Sequence, residues 1–173
     1  MSPPNRQLDH ADHQPARAPR PLCIVADGVE LPANVGSLFR LADAFGVEKL
    51  YLTAGSAVPP HPKLRKTARA SETAVPFEYR ESALESIAQL RAAHYTVVSL
   101  ERSSRSRDLR TFDAVGCERL ALVVGSERRG VSQAVLDACD HTLHIPMIGQ
   151  NSSLNLATAC AIALFELSRS WLP

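Results

Sequence analysis

The stretch RLALVVGSERRGVS, residues 119–132, indicates the fold class more clearly than any other part of the chain. It opens with an aliphatic run long enough for one buried strand, and a polar loop with glycines at 125 and 130 follows at once. A strand that does not alternate between polar and apolar residues is typical of a parallel sheet covered by helices on both faces. The stretch therefore predicts a central strand with a loop at its carboxyl end.

Four similar runs predict further buried strands: LCIVAD (22–27), KLYLT (49–53), YTVVSLE (95–101) and HTLHIP (141–146). Amphipathic helices are predicted between them, because Val35, Leu38 and Ala42 share one helical stripe and Glu81–Ala93 carries another. A last helix, from about Ser153 to Trp171, is apolar on nearly every side, so we expect it to be buried against the sheet or a second subunit. The alternation predicts an α/β fold with a mostly parallel sheet flanked by helices.

The composition is typical of one soluble globular domain, with 173 residues of which 45% are apolar and 21% charged. The four cysteines are widely separated and form no C-x-x-C pair, which favours buried reduced thiols over a metal site or a disulfide framework. His141 and His144 lie in a predicted strand, where their odd spacing sends them to opposite faces. We therefore expect no metal.

The first 20 residues are rich in Pro, Arg, Asp and His without any strand or helix period, which predicts a disordered tail (1–20) before a single domain (21–173). This segment has no hydrophobic stretch, so it does not have the pattern of a secretory signal. No apolar run approaches the roughly 18 residues that indicate a membrane span. The expected location is the cytoplasm.

Three loops that follow strands combine polar side chains with glycine: 34–40, 125–132 and 145–155. Ligands of open α/β sheets bind at the carboxyl ends of strands, so these loops are the candidate site. Gly125 and Gly130 are spaced as in a P-loop, but Val131 stands where that motif needs lysine. The chain also has no G-x-G-x-x-G, so an ATPase and a dinucleotide-dependent dehydrogenase are both disfavoured.

Each polar residue of these loops has a structural interpretation beside a functional one. Asn34 and Ser153 suit helix N-caps, and Glu127 suits a helix-start acid, an acceptor for an adenosine group or a partner for an arginine. Arg40 projects opposite the apolar stripe of its own helix, which leaves it free for solvent, a partner subunit or a phosphate. Asn155, placed two residues into an apolar helix, needs a polar partner if it is buried.

The net charge of +1 hides two local basic clusters. The segment 61–69 contains no acid, whereas the second cluster is diluted by acidic residues. Either cluster can be a solvated surface or a contact for nucleic acid. The first consists of Lys63, Arg65, Lys66 and Arg69, and the second of Arg102, Arg105, Arg107 and Arg110.

Taken in order, three motifs closely resemble those of the SpoU, or TrmH-like, RNA 2′-O-ribose methyltransferases. They are N-x-G-x-x-x-R (34–40), L-V-V-G-S-E-x-x-G (122–130) and I-P-M-x-G-x-x-x-S-L-N (145–155). The resemblance covers roughly residues 22–170 and implies a SPOUT fold, in which the C-terminal segment is tucked through a loop as a trefoil knot that forms the cofactor pocket. It also implies a homodimer with each active site assembled at the interface.

The resemblance implies that S-adenosylmethionine is the methyl donor and that tRNA or rRNA is the substrate. The implied cofactor-binding residues are Leu100, Gly125, Ile145 and Leu154, and the implied catalytic residues are Asn34, Arg40, Glu127, Ser153 and Asn155. Arg40 is the principal catalytic candidate; because a guanidinium is a poor base, we favour positioning and charge stabilisation for it over proton abstraction. With an RNA substrate, Lys63, Arg65, Lys66 and Arg69 become candidate contacts to the RNA backbone.

Two alternatives remain open at this point. A catalytically idle SPOUT-like module that binds RNA or assists assembly would keep the fold and the basic surface, but it would not need every polar motif residue. Methylation of a base in place of the ribose fits the Asn34–Arg40 and Ser153–Asn155 motifs less well. The sequence does not choose between tRNA and rRNA.

Overall fold

The structure is a computed structural model that describes residues 5–7, 9, 12 and 20–169. Most of the predicted tail, residues 1–20, and the predicted end of the last helix at Trp171 lie outside the described residues.

The described residues form one sheet of seven strands in the order β3-β2-β1-β6-β4-β7-β5, and all neighbouring strands pair in parallel. This confirms the α/β class and the five predicted strands, although the trefoil knot stays a prediction. The strands are β1 (Arg20–Asp27), β2 (Val47–Thr53), β3 (Phe77–Arg80), β4 (Thr96–Leu100), β5 (Arg107–Asp108), β6 (Leu120–Gly125) and β7 (His141–His144).

Helices cover both faces of the sheet, as the side chains of β1 show by alternating between two cores. Leu22 and Ile24 pack on the side of α1 and α6, whereas Cys23 and Val25 pack on the side of α4 and α5. None of the described helices is long and apolar enough to span a membrane. The helices are α1 (Pro32–Ala44), α2 (Pro62–Ala68), α3 (Ser71–Ala74), α4 (Ala83–Ala92), α5 (Gln133–Ala138) and α6 (Leu156–Ser168).

All four cysteines are free thiols, as expected, but only Cys23 and Cys160 are buried, whereas Cys117 and Cys139 are half-buried. Cys160 lies on the buried face of α6, and this burial raises the pKa of its thiol to about 12. Burial likewise raises the pKa of Cys23 to about 11. Both thiols therefore stay protonated near neutral pH and serve as small apolar groups of the core.

Two predicted helix starts were wrong. Helix α1 begins at Pro32, because proline fixes a helical φ and has no N–H to leave unpaired, so Asn34 lies in the first turn instead of capping it. Helix α6 begins at Leu156, and Asn155 is its N-cap, so neither Ser153 nor a residue before it caps this helix. Both asparagines consequently stand where a helix starts, beside the loops of the candidate site.

Helix α2 packs closely against α1 at Gly36. A Cβ atom added at Gly36 would lie 2.4 Å from the backbone oxygen of Leu64 and 2.9 Å from Cβ of Thr67. Such distances are too short for carbon, so only glycine allows this helix spacing. Glycine thus sets how near α2 and its basic side chains stand to α1.

We expect Gly36→Ala to lower the free energy of unfolding by about 1–3 kcal/mol, because the two helices must separate to admit the methyl group. Urea denaturation measures this change. Gly116→Ala is the matched control, since a Cβ atom at Gly116 meets nothing within 4 Å. Alanine favours a helix over glycine by about 1 kcal/mol, so a stabilised Gly36→Ala protein would refute the close packing.

Candidate active site

A cavity of about 520 Å³ lies at the carboxyl edge of the sheet, where β1, β6, β4 and β7 end. From β1 the chain first adds β2 and β3 on one side, and it later places β4, β6 and β7 on the other. This reversal is the topological switch point, at which open α/β sheets bind their ligands. The volume is in the range of sites for small molecules and cofactors.

The structure brings eight of the nine predicted cofactor and catalytic residues to this cavity. The eight are Asn34, Leu100, Gly125, Glu127, Ile145, Ser153, Leu154 and Asn155. Arg40 does not line the cavity, and neither do the four basic residues of segment 61–69. The loops after β1, β4, β6 and β7 therefore meet at one place, as the rule for strand ends predicts.

A chain of side-chain hydrogen bonds connects the three motif segments. The Nδ2 group of Asn34 donates to Oε1 of Glu127 at 2.6 Å, and Nδ2 of Asn155 donates to Oδ1 of Asn34 at 3.4 Å. Asn34 is only 7% exposed, so both ends of its amide are satisfied inside the protein. The loops after β1, β6 and β7 are held in register by this chain.

Glu127 also holds the start of α1. Its carboxylate accepts from the backbone N–H groups of Glu30 and Leu31, both at 3.3 Å, in addition to Asn34. A negative charge is favourable near the positive end of a helix. Of the interpretations that the sequence left open, the structure thus places Glu127 at a helix start, although the helix is α1 and not the one that follows Glu127.

Asn155 combines capping with the hydrogen-bond chain. Its Oδ1 accepts from the backbone N–H groups of Ala157 (2.9 Å) and Thr158 (3.3 Å), while its Nδ2 reaches Asn34. The polar partner expected for Asn155 is therefore Asn34 together with the helix end. Ser153 is exposed on the cavity wall, and within the described residues its hydroxyl has no hydrogen-bond partner.

The loop after β6 closes into a tight turn between Ser126 and Gly130. Two backbone hydrogen bonds join these residues at 3.0 and 2.9 Å. Gly130 has a φ of +66°, and a Cβ atom on Gly125 would lie 2.0 Å from the carbonyl carbon of Gly130. The two glycines that resemble a P-loop therefore serve to fold this turn back onto the strand.

Two carboxylates missed by the sequence analysis fix the far side of this turn. Asp27, at the end of β1, accepts from the backbone N–H and the hydroxyl of Ser132 at 3.0 and 2.9 Å. Glu101, just after β4, accepts from the backbone N–H of Val131 at 3.0 Å. The signal was present in the sequence, because each acid closes an aliphatic strand at the edge where loops converge.

The remaining wall combines apolar side chains with one unpaired nitrogen. Leu100, Val124 and Ile145 contribute apolar surface. His144, which the sequence analysis did not assign to the site, also lines the cavity, and its buried Nδ1 has no hydrogen-bond partner in the described part of the chain. A buried polar atom without a partner is a place where a ligand can bind.

Arg40 stands outside the cavity on the exposed side of α1. Across the described ranges its guanidinium makes no hydrogen bond or ion pair, so it is free to meet another molecule, as the helical pattern predicts. Lys63, Arg65, Lys66 and Arg69 are likewise exposed, on or next to α2. No three His, Cys, Asp or Glu side chains among the described residues lie close enough to hold a metal ion.

A parallel sheet with helices on both faces and a cavity at its switch point defines a ligand-binding α/β protein of the doubly wound class. Comparison with known sequences identifies the particular family. The model of the SpoU rRNA Methylase family matches residues 21–165, and the chain belongs to this family.

Individual relatives agree with this membership. A Staphylococcus haemolyticus protein that carries the name of a TrmH family tRNA/rRNA methyltransferase is 32% identical over 146 residues, which are 84% of this chain and 57% of the relative. The chain thus spans little more than half the length of that relative. An AdoMet-bound rRNA methyltransferase from Sinorhizobium meliloti superposes with a TM-score of 0.82 at 30% identity, covering 88% of this chain and 57% of that one.

A third match covers nearly the whole of the related chain. A solved structure described as concerning 2-OH methylation of C/U34 on tRNA superposes with a TM-score of 0.72 at 31% identity. The match covers 87% of this chain and 95% of that one. Relatives with either an rRNA or a tRNA in their description thus share this fold.

We expect Glu127→Ala to lower the free energy of unfolding by about 1–2 kcal/mol, because three donors lose their acceptor at the start of α1. Chemical denaturation checks the magnitude. Glu118→Ala is the control, since Glu118 is exposed and makes no contact of this kind within the described residues. Equal stability of the two variants would contradict the role of Glu127 in joining the loops.

Proposed function

We propose that the protein is an S-adenosyl-L-methionine-dependent RNA methyltransferase that modifies a ribose 2′-hydroxyl. The observation that carries the proposal is the hydrogen-bond chain Glu127–Asn34–Asn155 at the cavity, because it unites residues of all three family motifs. An idle RNA-binding module would need neither this chain nor the cavity. Family membership and the AdoMet-bound relative support the same proposal.

The cavity fits the methyl donor in size and in chemistry. Leu100, Ile145 and Leu154 offer apolar surface for an adenosine group, and the strand end at Gly125 offers backbone groups. The buried Nδ1 of His144 is an unused partner for a polar atom of the ligand. When bound, S-adenosylmethionine supplies a methyl group that is already activated by its positive sulfonium.

The chain's own residues then have to align the ribose and assist the loss of the proton from its 2′-hydroxyl. Methyl transfer would replace the proton of the ribose 2′-hydroxyl by the methyl group, and that proton would pass to water. Ser153, with its free hydroxyl on the cavity wall, and Asn155 would orient the ribose by hydrogen bonds. Arg40 would position the substrate and stabilise the charge that develops on the oxygen. Glu127 would keep Asn34 and the loops in place.

Arg40 stands outside the cavity, so it needs a second molecule in order to act there. We propose that a homodimer supplies this arrangement. Ile162 and Phe165 of α6 are 40% and 59% exposed and lie on one helical face, which is unusual for large apolar side chains. Helix α6 packs beside α1 on the same face of the sheet, so a partner covering this surface would also meet Arg40.

The basic segment of α2 would contact the RNA backbone. Lys63, Arg65, Lys66 and Arg69 are exposed, and the described residues offer no carboxylate within 4 Å of their charged groups. Gly36 brings α2 close to α1, and Arg40 follows Gly36 by about one helical turn. Such contacts supply affinity without selecting a base, so tRNA and rRNA are both substrates to test. The proposed compartment is the cytoplasm.

We expect cells that lack the gene to lose one 2′-O-methylated nucleoside from tRNA or rRNA, and Arg40→Ala to fail to restore it. Removal of a group that stabilises the developing charge lowers the rate by about 100-fold or more. Mass spectrometry of nucleosides from both RNA pools makes the measurement, and it would reveal methylation of a base directly.

The control for this experiment is Arg119→Ala, which removes an exposed arginine at the opposite, amino end of β6. It should restore the nucleoside as the unchanged gene does. Unaltered nucleosides in the deletion strain would favour the idle module. Full rescue by Arg40→Ala would show that Arg40 has a different role.

We expect Phe165→Glu to shift the protein from dimer to monomer, because a charge in an apolar interface is left without a partner. Size-exclusion chromatography with light scattering gives the mass. Leu84→Glu is the matched control, since Leu84 is a similarly exposed apolar residue, 40%, on α4 at the other face of the sheet. A dimer that survives Phe165→Glu would place the interface elsewhere.

A further inference from the structure

A second set of arginines surrounds the mouth of the cavity and is not used by the proposed function. Arg102 and Arg105 lie in the loop after β4, and Arg128 lies in the loop after β6. Arg102 and Arg128 line the cavity itself, from neighbouring strands. We call these three residues the arginine rim.

The charges of the rim are free. All three side chains are exposed, and none has an ion pair or a side-chain hydrogen bond within the described residues. By contrast, Arg107 stacks over the ring of Phe112 at 5.7 Å, and Arg110 is paired with Asp108 at 2.5 Å. The rim is therefore the part of this cluster that can bind something else.

The acids beside the rim form no ion pair with it within the described residues, because their carboxylates accept from backbone and amide N–H groups of the protein. Glu101 accepts from the backbone N–H groups of Arg102 (2.9 Å) and Val131 (3.0 Å). Glu127 accepts from the start of α1 and from Asn34. Glu101 and Glu127 keep their negative charge, but the three guanidinium groups of the rim are left without a carboxylate partner in the described part of the chain.

The rim and α2 follow strands that lie on opposite sides of β1 in the sheet. Helix α2 follows β2, whereas the rim follows β4 and β6, and β1 lies between β2 and β6 in the sheet. All these segments follow carboxyl ends of parallel strands, so they stand at the same edge. A chain with regularly spaced negative charges that runs along this edge would meet the cations of both segments.

We propose that the arginine rim binds backbone phosphates of the RNA substrate beside the target nucleotide, as a second RNA contact separate from α2. The guanidinium fork pairs with phosphate oxygens through two parallel hydrogen bonds, which suits a rim made of arginine only. Three exposed cations on two loops exceed what the single carboxylate of S-adenosylmethionine needs, so the arrangement favours a polyanion. The inference rests on the proposed function in that the ligand is RNA.

The test measures RNA binding without methyl donor, so it does not depend on methyl transfer. Total tRNA and total rRNA serve as probes in filter binding between roughly 50 and 200 mM salt. We expect Arg102→Gln to reduce the slope of log K against log salt by about one, and Arg102→Gln/Arg128→Gln by about two, one for each lost phosphate contact. Affinity should fall in parallel, while thermal melting stays unchanged because these side chains have no partners in the fold.

Arg119→Gln is the control for charge, because it removes one exposed positive charge at the amino end of the sheet, where Arg119 stacks over the ring of Tyr95 at 5.4 Å. It should leave the slope as it is. An unchanged slope and affinity in the double variant would overturn the rim as an RNA contact. Calorimetry with S-adenosylmethionine and with 5′-methylthioadenosine, which lacks the carboxylate, tests the other source of negative charge. A loss of affinity for the first ligand alone, with RNA binding intact, would assign the rim to the cofactor and overturn the proposal.

Failure of the proposed function looks different. The protein without substitutions can bind RNA with a salt slope that depends on the rim and still leave every nucleoside unmodified. That result would refute methyl transfer and support the rim as an RNA contact. Unchanged protein that binds neither RNA pool would overturn both proposals.

Discussion

The site depends on a reciprocal exchange between two neighbouring strand–helix units. Asp27 at the end of β1 accepts from Ser132 at the start of α5, and Glu127 after β6 accepts from the backbone that leads into α1. Each carboxylate thus serves the helix of the other unit, where its charge is favoured by the helix end and its hydrogen bonds are charge-assisted. Since β1 and β6 pair directly, the exchange closes at the sheet edge and fixes both loops together.

This exchange explains why Asn34 and Asn155, the two residues that join Glu127 in the hydrogen-bond chain, are asparagines and not aspartates. Asn34 must donate to a carboxylate and accept from Asn155, and Asn155 must donate to Asn34 while its oxygen caps α6. An aspartate at either position would have a carboxylate oxygen in place of the amide Nδ2 group. Two acceptor oxygens would then face each other, and the hydrogen bond would be lost. The orientation of both amides follows from the carboxylate of Glu127, and the start of α6 is thereby tied to the start of α1.

The sequence predicted the centre of the sheet and failed at its edges, for a physical reason. Central strands are buried on both faces and leave an aliphatic run, but β3 is half exposed and β5 has two residues, so neither leaves such a run. The rule for strand ends selected three loops, and the resemblance to the family named the site residues, eight of which line one cavity at that edge. It could not pair them, because Asn34 lies 93 residues from Glu127 and 121 from Asn155, and local patterns do not encode such contacts. The start of α1 is a separate error, because Pro32 is a local signal for the first residue of a helix and lies ahead of Asn34.

The distribution of charge separates what the cavity can hold from what its surroundings can bind. Inside, both acids accept hydrogen bonds from backbone or amide donors, and the lining combines apolar side chains with Ser152, Ser153 and the unpaired Nδ1 of His144. At the mouth of the cavity and beyond it, Arg40 and the cations of α2 and the rim stand unpaired within the described residues. A group bound in such a cavity is recognised by shape and a few hydrogen bonds, whereas a ligand bound around it is recognised by its negative charge. A nucleoside-like group held inside and a polynucleotide held across the mouth satisfy both conditions. The role proposed for Arg40 requires a second molecule that brings this side chain to the place where the two ligands meet.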